Sequence, residues 1–217
     1  MIRTLQKLLN EFGYQLAIDG LKGKATLQAQ KDFERRLASV FTNHTGKPNY
    51  TGLFAVRCVE NEFDNIASDY LAWVQNGELQ GVVACSTRAG KFWVQNPITY
   101  GGITGTAILA EGFYKDTWLG SWQTRFGFRS FELLQQKPVK IYRDGNRNKT
   151  LDRHTTQTGL FGINIHTAGW NNLIDRWSAG CIVVPKAEWD RFVALYLQAG
   201  LWYSLLLAKK SDLQNGV

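Results

Sequence analysis

The chain has 217 residues, 44% of them apolar, 13% aromatic and 20% charged, with a formal charge of +7; this excludes intrinsic disorder and provides for one packed domain of ordinary size plus a small accessory unit. No run reaches the roughly 18 apolar residues of a spanning helix, and MIRTLQKLLNEFGY carries charges where a secretory signal has its apolar stretch, so the expectation is a chain made in the cytoplasm without a signal peptide and without membrane insertion. The basic surplus is spread along the sequence and repeats on no helix face, so nucleic acid is not an expected partner, whereas an anionic polymer suits the charge.

Leu5, Leu8, Leu9 and Phe12 recur at three- and four-residue spacing and predict a helix that stops at Gly13. Ile18 to Gly23 form a tight connection, and a second helix is expected from about Lys24 to Ser39 with Leu27, Phe33 and Leu37 on one side. LQKLLNEFGY, then DGLKGKAT, then QKDF resemble the peptidoglycan-binding module of bacterial and phage wall hydrolases. Asp19, Gly20, Gly23, Thr26 and Phe33 stand at the matching positions, with Glu34 where the family usually has Gln. The likeness covers about residues 2 to 36, shorter than a full three-helix module, and implies wall binding through Asp19, Gly20, Gly23 and Thr26. The plainer reading is an amphipathic hairpin that packs on the next domain.

Residues 41–51, polar and rich in turn formers, predict a linker between a helical module at 1–40 and a second domain at 52–210, with a polar, frayed tail at 211–217. Within the second domain, Tyr70 to Gln75 and Glu78 to Thr87 flank Asn76-Gly77, the signature of a hairpin with a type I′ turn. Further strands are expected at Lys91–Val94, Val139–Tyr142, Gly162–His166, Cys181–Val184 and Leu201–Leu207, and a helix at Lys186–Gln198 after Pro185. The fold class is α+β, a small helical module followed by a mainly β domain.

An apolar alternation delivers His166 at the end of one strand, and a small-residue turn, Ser178-Ala179-Gly180, delivers Cys181 fifteen positions later at the start of the next. An imidazole beside a thiol can take its proton and hold the thiolate as an ion pair. The N–H groups of Gly180 and Cys181 are candidate donors to a developing oxyanion. The same residues are also compatible with a buried free cysteine near an unrelated histidine. Three cysteines, Cys58, Cys85 and Cys181, cannot all pair and lack C-x-x-C spacing, which points to a reducing compartment; Cys58 and Cys85 lie in apolar surroundings and read as inert.

The His166 to Cys181 segment resembles the catalytic motif of the L,D-transpeptidase (YkuD-type) family, in which an Ile-His at a strand end is followed by Ser-His-Gly-Cys. A weaker likeness extends upstream through Val82 to Phe92. The resemblance implies a YkuD-like catalytic domain, Cys181 as nucleophile, His166 as base, and the carbonyl of Thr167 or its neighbour orienting the imidazole, with no cofactor required. Ala179 replaces the family's second His, and Val183 stands where Arg or Asn is common. Cysteine chemistry survives these changes, and Arg176 is a candidate for the missing positive charge.

Trp170 and Trp177 bracket the loop between base and nucleophile and are candidate substrate walls, with Tyr100 in a candidate flap. Asp144, Asn146, Asn148 and Asp152 place oxygens at alternate positions, as in Ca²⁺ loops, but without the central Gly or a closing Glu, so a self-satisfied Asx-rich turn competes with the metal reading. Together these features predict a stem-peptide hydrolase of peptidoglycan in a phage or prophage lysin. The alternatives are a cross-linking L,D-transpeptidase or a non-catalytic wall-binding or virion structural protein.

Overall fold

The computed structural model describes residues 1–59, 65–125, 127–148, 150–169 and 173–214. Helices α1 (Ile2–Glu11) and α2 (Lys24–Thr45) precede β1 (Gly52–Arg57), β2 (Asp69–Gln75) and β3 (Glu78–Cys85). The short α3 (Lys91–Gln95) leads to β4 (Thr99–Tyr100), β5 (Ile103–Thr104), β6 (Thr106–Leu109), β7 (Gly112–Arg125), β8 (Phe128–Gln135), β9 (Val139–Asp144) and β10 (Thr156–Gly159). Then come β11 (Ile165–Thr167), a 3-10 turn (Asp175–Trp177), β12 (Ile182–Val184), α4 (Lys186–Tyr196), β13 (Trp202–Lys209) and α5 (Lys210–Gln214).

Eight strands form one mixed sheet in the order β12-β11-β8-β7-β13-β1-β2-β3. Its two ends meet: Ser86, just past β3, donates its N–H to Val183 O at 2.8 Å and accepts from Val183 N–H at 3.0 Å, so the sheet closes into a barrel-like form. β6, β9 and β10 make a separate three-stranded sheet, and β4 and β5 a small hairpin. The β2–β3 turn has Asn76 at φ 52° and Gly77 at φ 84°, the left-handed pair that a type I′ turn requires.

β1 is buried along its whole length because it has an apolar layer on each side. Leu53 and Ala55 face the barrel interior beside Leu71 and Leu205, while Phe54 and Val56 face the helices. That double burial explains why Gly52 to Val56 reads as a continuous apolar run rather than an alternation.

α1 and α2 are built into this outer layer. Leu9, Phe33, Leu37 and Phe41 share one core with Phe54 and Val82, and polar groups of α2 dock on the sheet as well. Glu34 Oε1 accepts the Leu79 N–H at 2.7 Å and Gln30 Nε2 donates to Leu79 O at 2.9 Å, next to a bulge in the β2–β3 pairing.

Five local expectations change. Of the strand expected at Gly162–His166 only Ile165 and His166 belong to β11, which continues to Thr167. The second helix continues to Thr45, where Gly46 at φ 77° caps it, so the first part of the segment expected as a linker is helical. Its polar residues face solvent while Phe41 is buried against Tyr50 and Phe54. Leu27 is exposed and Thr26 takes the buried position: at about 100° per residue, position 26 lies about 20° from Phe33 and position 27 about 120°. Lys91–Val94 is helical rather than extended, started by Gly90 and burying only Val94. Lys210–Gln214 of the tail is helical too, with Leu213 buried and Lys210 Nζ 2.7 Å from Glu11 Oε2.

Truncating Phe41 to Ala removes a side chain shared by helix and sheet and is expected to cost about 3–5 kcal/mol. In urea titration, helical and tryptophan signals should fall together at a lower midpoint. Two separated transitions, with the sheet unaffected, would show that the helices are not integral to the fold.

Candidate active site

β11 and β12 are parallel neighbours, in register as Ile165↔Ile182 and His166↔Val183. Alternation sends Ile165, Ile182 and Val184 into the barrel core and puts His166 on the opposite face with Val183 and Cys181, which packs against Ala168 and Ile174 there. Cys181 therefore lies one strand over from His166 and two residues back, a diagonal pairing on one face.

His166 Nδ1 lies 2.8 Å from Thr167 O. A carbonyl only accepts, so Nδ1 carries the proton in this bond and the basic lone pair of neutral imidazole is on Nε2. Cys181 is half-buried, and its thiol donates to Gly162 O at 3.3 Å. Cys58 and Cys85 have other surroundings: burial, with Asp69 adding to it, pushes both thiols well above their ordinary value. Neither is positioned to be an easily ionised nucleophile.

The turn before Cys181 is held by Ser178, a fully buried residue whose importance composition does not announce. Its hydroxyl accepts the Gly180 N–H at 3.1 Å and donates to Cys181 O at 2.7 Å, and its carbonyl accepts Gly90 N–H at 2.9 Å. The Gly180 N–H is thus engaged within the turn. What makes glycine necessary at 180 is φ 147° and contact with β6, where an added Cβ would stand 2.5 Å from Ala107 O. The legible signal was Ser-x-Gly, a hydroxyl two residues before an N–H it can cap.

Beside Cys181 is a cleft of about 80 Å³ lined by Tyr100, Arg143, Phe161, Gly162, Ala179 and Gly180, among others. Tyr100 stands in β4, half exposed, its ring edge-on to Phe161 at 5.6 Å. Arg176 is not in this cleft: its guanidinium stacks on Phe92 at 4.0 Å and its carbonyl accepts Trp93 Nε1–H at 3.1 Å. The cation here is Arg143, which no motif in the sequence marks. Its signal was an arginine in step with Val139 and Ile141 on the buried side of β9.

Trp177 is half exposed on the 3-10 turn, lying so close to Gly169 that a Cβ there would meet its indole nitrogen at 2.2 Å. Trp170 is outside the described residues. In the helical hairpin Asp19 and Thr26 are engaged by Gln6, whose Nε2 donates to Asp19 Oδ1 at 2.7 Å and to Thr26 Oγ1 at 3.3 Å. Gln6 Oε1 accepts Gly20 N–H at 3.0 Å, and Gly23 is the N-cap of α2. These four residues close the interhelical loop, and Leu21 and Ile18 are its exposed apolar side chains.

The Asp144 to Asp152 segment uses its oxygens internally. Asn146 Oδ1 accepts Asn148 N–H, Asn148 Oδ1 accepts Thr150 N–H, Asp152 Oδ1 accepts His154 N–H, and Asp144 Oδ2 accepts Asp152 N–H. Burial raises the Asp144 carboxyl above its ordinary value. Among the described residues no group of three His, Cys, Asp or Glu is arranged to hold a metal.

No protein-family model matches the sequence, and no curated protein matches it. Among solved structures the chain is similar to the Ldtfm–avibactam carbamoyl enzyme, with 14% identity and TM-score 0.29 over 75% of this chain and 51% of that one. It is similar to an Enterococcus faecium L,D-transpeptidase mutant, with 12% identity and TM-score 0.33 over 75% and 52%. A third likeness is to an L,D-transpeptidase from Mycobacterium smegmatis, with 9% identity and TM-score 0.32 over 73% and 59%. The chain spans little more than half the length of these proteins, and at such scores the likeness adds nothing to the chemistry, which this chain's own residues must supply.

The geometry has two measurable consequences. Iodoacetamide should label Cys181 of the native protein while leaving Cys58 and Cys85 unmodified, and His166→Ala should slow that labelling at neutral pH on the order of tenfold; equal rates in the two proteins would break the link between base and thiol. The melting temperature should be the same in EDTA as in millimolar Ca²⁺, because the loop oxygens already have partners; a rise on adding Ca²⁺ would reveal a site.

Proposed function

We propose that the chain is a cysteine-dependent hydrolase of peptidoglycan stem peptides, of L,D-carboxypeptidase or endopeptidase type. The observation that carries this reading is the diagonal pairing of Cys181 and His166 on one face of β11 and β12, with the imidazole oriented through Nδ1 by Thr167 O. The sequence motif around them supplies the substrate class by resemblance.

In this reading His166 Nε2 takes the Cys181 proton, and Sγ forms a bond to a stem-peptide carbonyl carbon. Collapse of the adduct breaks the C–N bond, and the departing amine takes the proton from the imidazolium. Water, deprotonated by the same imidazole, then attacks the thioester; the acid leaves and the thiol regains its proton. With an amine in place of water the same intermediate yields a cross-link, so the acceptor alone separates hydrolase from transpeptidase. The proposal extends to α1 and α2 as a wall-anchoring element and to a phage or prophage lysin as the setting, supported by the peptidoglycan-binding-like loop and the charge of +7.

Purified peptidoglycan digested with wild type and with Cys181→Ala, its muropeptides resolved by mass, checks this directly. Wild type alone should produce shortened stems. New cross-links would favour the transpeptidase, and identical digests would leave a non-catalytic wall-binding protein.

A further inference from the structure

Arg143 is 3% exposed, yet it meets no carboxylate among the described residues. Its Nε donates to Gln157 Oε1 at 2.6 Å and Nη1 to Gly105 O at 3.1 Å, both neutral acceptors. Its guanidinium lies 5.1 Å from the Phe161 ring centroid and 5.7 Å from that of Tyr100. These contacts leave part of the five-donor fork without an acceptor among the described residues, in the wall of the cleft that also contains Cys181. Burial pulls the Arg143 pKa below its ordinary value, with Tyr100 acting the other way, but an arginine remains charged.

A buried cation is costly unless it is paired. The other buried arginines show the usual remedy: Arg57 pairs with Glu111, and Arg88 with Asp69 at 3.5 Å. Arg143 departs from that pattern in the wall of the cleft beside Cys181, where a ligand could complete it. A guanidinium held by two fixed bonds and two rings keeps its remaining donors in place, which suits a planar anion. Cys181 and Arg143 line the same cleft, so an anion held by the guanidinium lies beside the thiol.

Resting on the stem-peptide reading above, we propose that Arg143 is a carboxylate anchor, and that the cleft beside Cys181 takes the small terminal residue that departs as the amine, recognised by its free α-carboxylate. The position of the anchor then favours removal of a terminal residue over cutting inside a cross-linked stem, whose amide-linked end has no carboxylate to offer. Tyr100, half exposed on the β4–β5 hairpin, lies against the same guanidinium.

Calorimetry with Cys181→Ala protein, which removes turnover from the measurement, tests the anchor independently of the proposed activity. The probes are a stem tetrapeptide ending in D-Ala and the same peptide ending in D-Ala amide. The carboxylate form should bind about ten- to a hundredfold more tightly. Adding Arg143→Met should erase that ratio, and Arg143→Lys should retain part of it. Equal affinities for the two peptides, or binding of neither, overturns the proposal, and that comparison requires no Arg143 variant to fold. A preserved ratio in folded Arg143→Met protein would also overturn it. A carboxylate preference in protein that leaves peptidoglycan uncut would uphold the anchor and refute the hydrolase.

Discussion

Thr87, two residues past β3, is held between Asp69 and Arg57. Its hydroxyl donates to Asp69 Oδ2 at 2.7 Å and accepts from Arg57 Nε at 2.9 Å, while its N–H donates to Asp69 Oδ2 at 2.9 Å and its carbonyl accepts from Arg57 Nη2 at 3.1 Å. All three residues are fully buried. Asp69 also accepts Cys58 N–H, and Arg57 also reaches Leu109 O and Glu111, so one turn ties together the ends of β1, β2, β3 and β6. Burial alone would raise the Glu111 carboxyl, but Arg57 and the Tyr142 hydroxyl hold it below its ordinary value. Removing one member of such a network leaves an uncompensated charge, at about 3–5 kcal/mol.

The face that carries Cys181 and His166 depends on that clamp because Ser86, the residue before Thr87, makes the bridge to Val183 that closes the barrel. Cys181 is two residues upstream of the bridge. A little further along, Gly90 donates to Ser178 O and lies so close to Asp175 that a Cβ would stand 1.9 Å from its carbonyl oxygen. The turn carrying the thiol is thus gripped by backbone contacts from the segment after β3 and by β6 from the other side. β11 and β12 have three residues each, too few to be rigid alone; the clamp, the bridge and the Ser178 bonds provide the rigidity.

The residues that differ from the transpeptidase-like motif make sense in this setting. Ala179 leaves the cleft wall small and uncharged where a second imidazole is usual, and Val183 belongs to a buried apolar cluster with Ala168 and Ile174. Positive charge enters from β9 instead, across the cleft. The helices contribute differently: Glu34, the departure from the module pattern, is bonded to the sheet backbone at Leu79. The hairpin and the barrel therefore meet through specific polar contacts as well as a shared apolar layer.

Local patterns in the sequence determined a good deal by themselves. The Asn76-Gly77 hairpin, the apolar side of α1 and the start of α4 after Pro185 depend on neighbours a few positions away, and short-range sterics specify them. Residues whose role comes from distant partners were not legible. Lys91–Val94 looks like a strand until Gly90 is seen against Asp175, and Thr42 to Thr45 look like a linker until Phe41 is seen in the core. Arg143 looks like one basic residue among many until burial removes water and, among the described residues, no acid replaces it. Sequence alone singled out Cys181 and His166 as candidates for cysteine chemistry. Only the tertiary structure decided that Cys181 and His166 share a face and that Arg143 lines the cleft beside Cys181, because barrel closure and burial are properties of contacts between residues far apart in the chain.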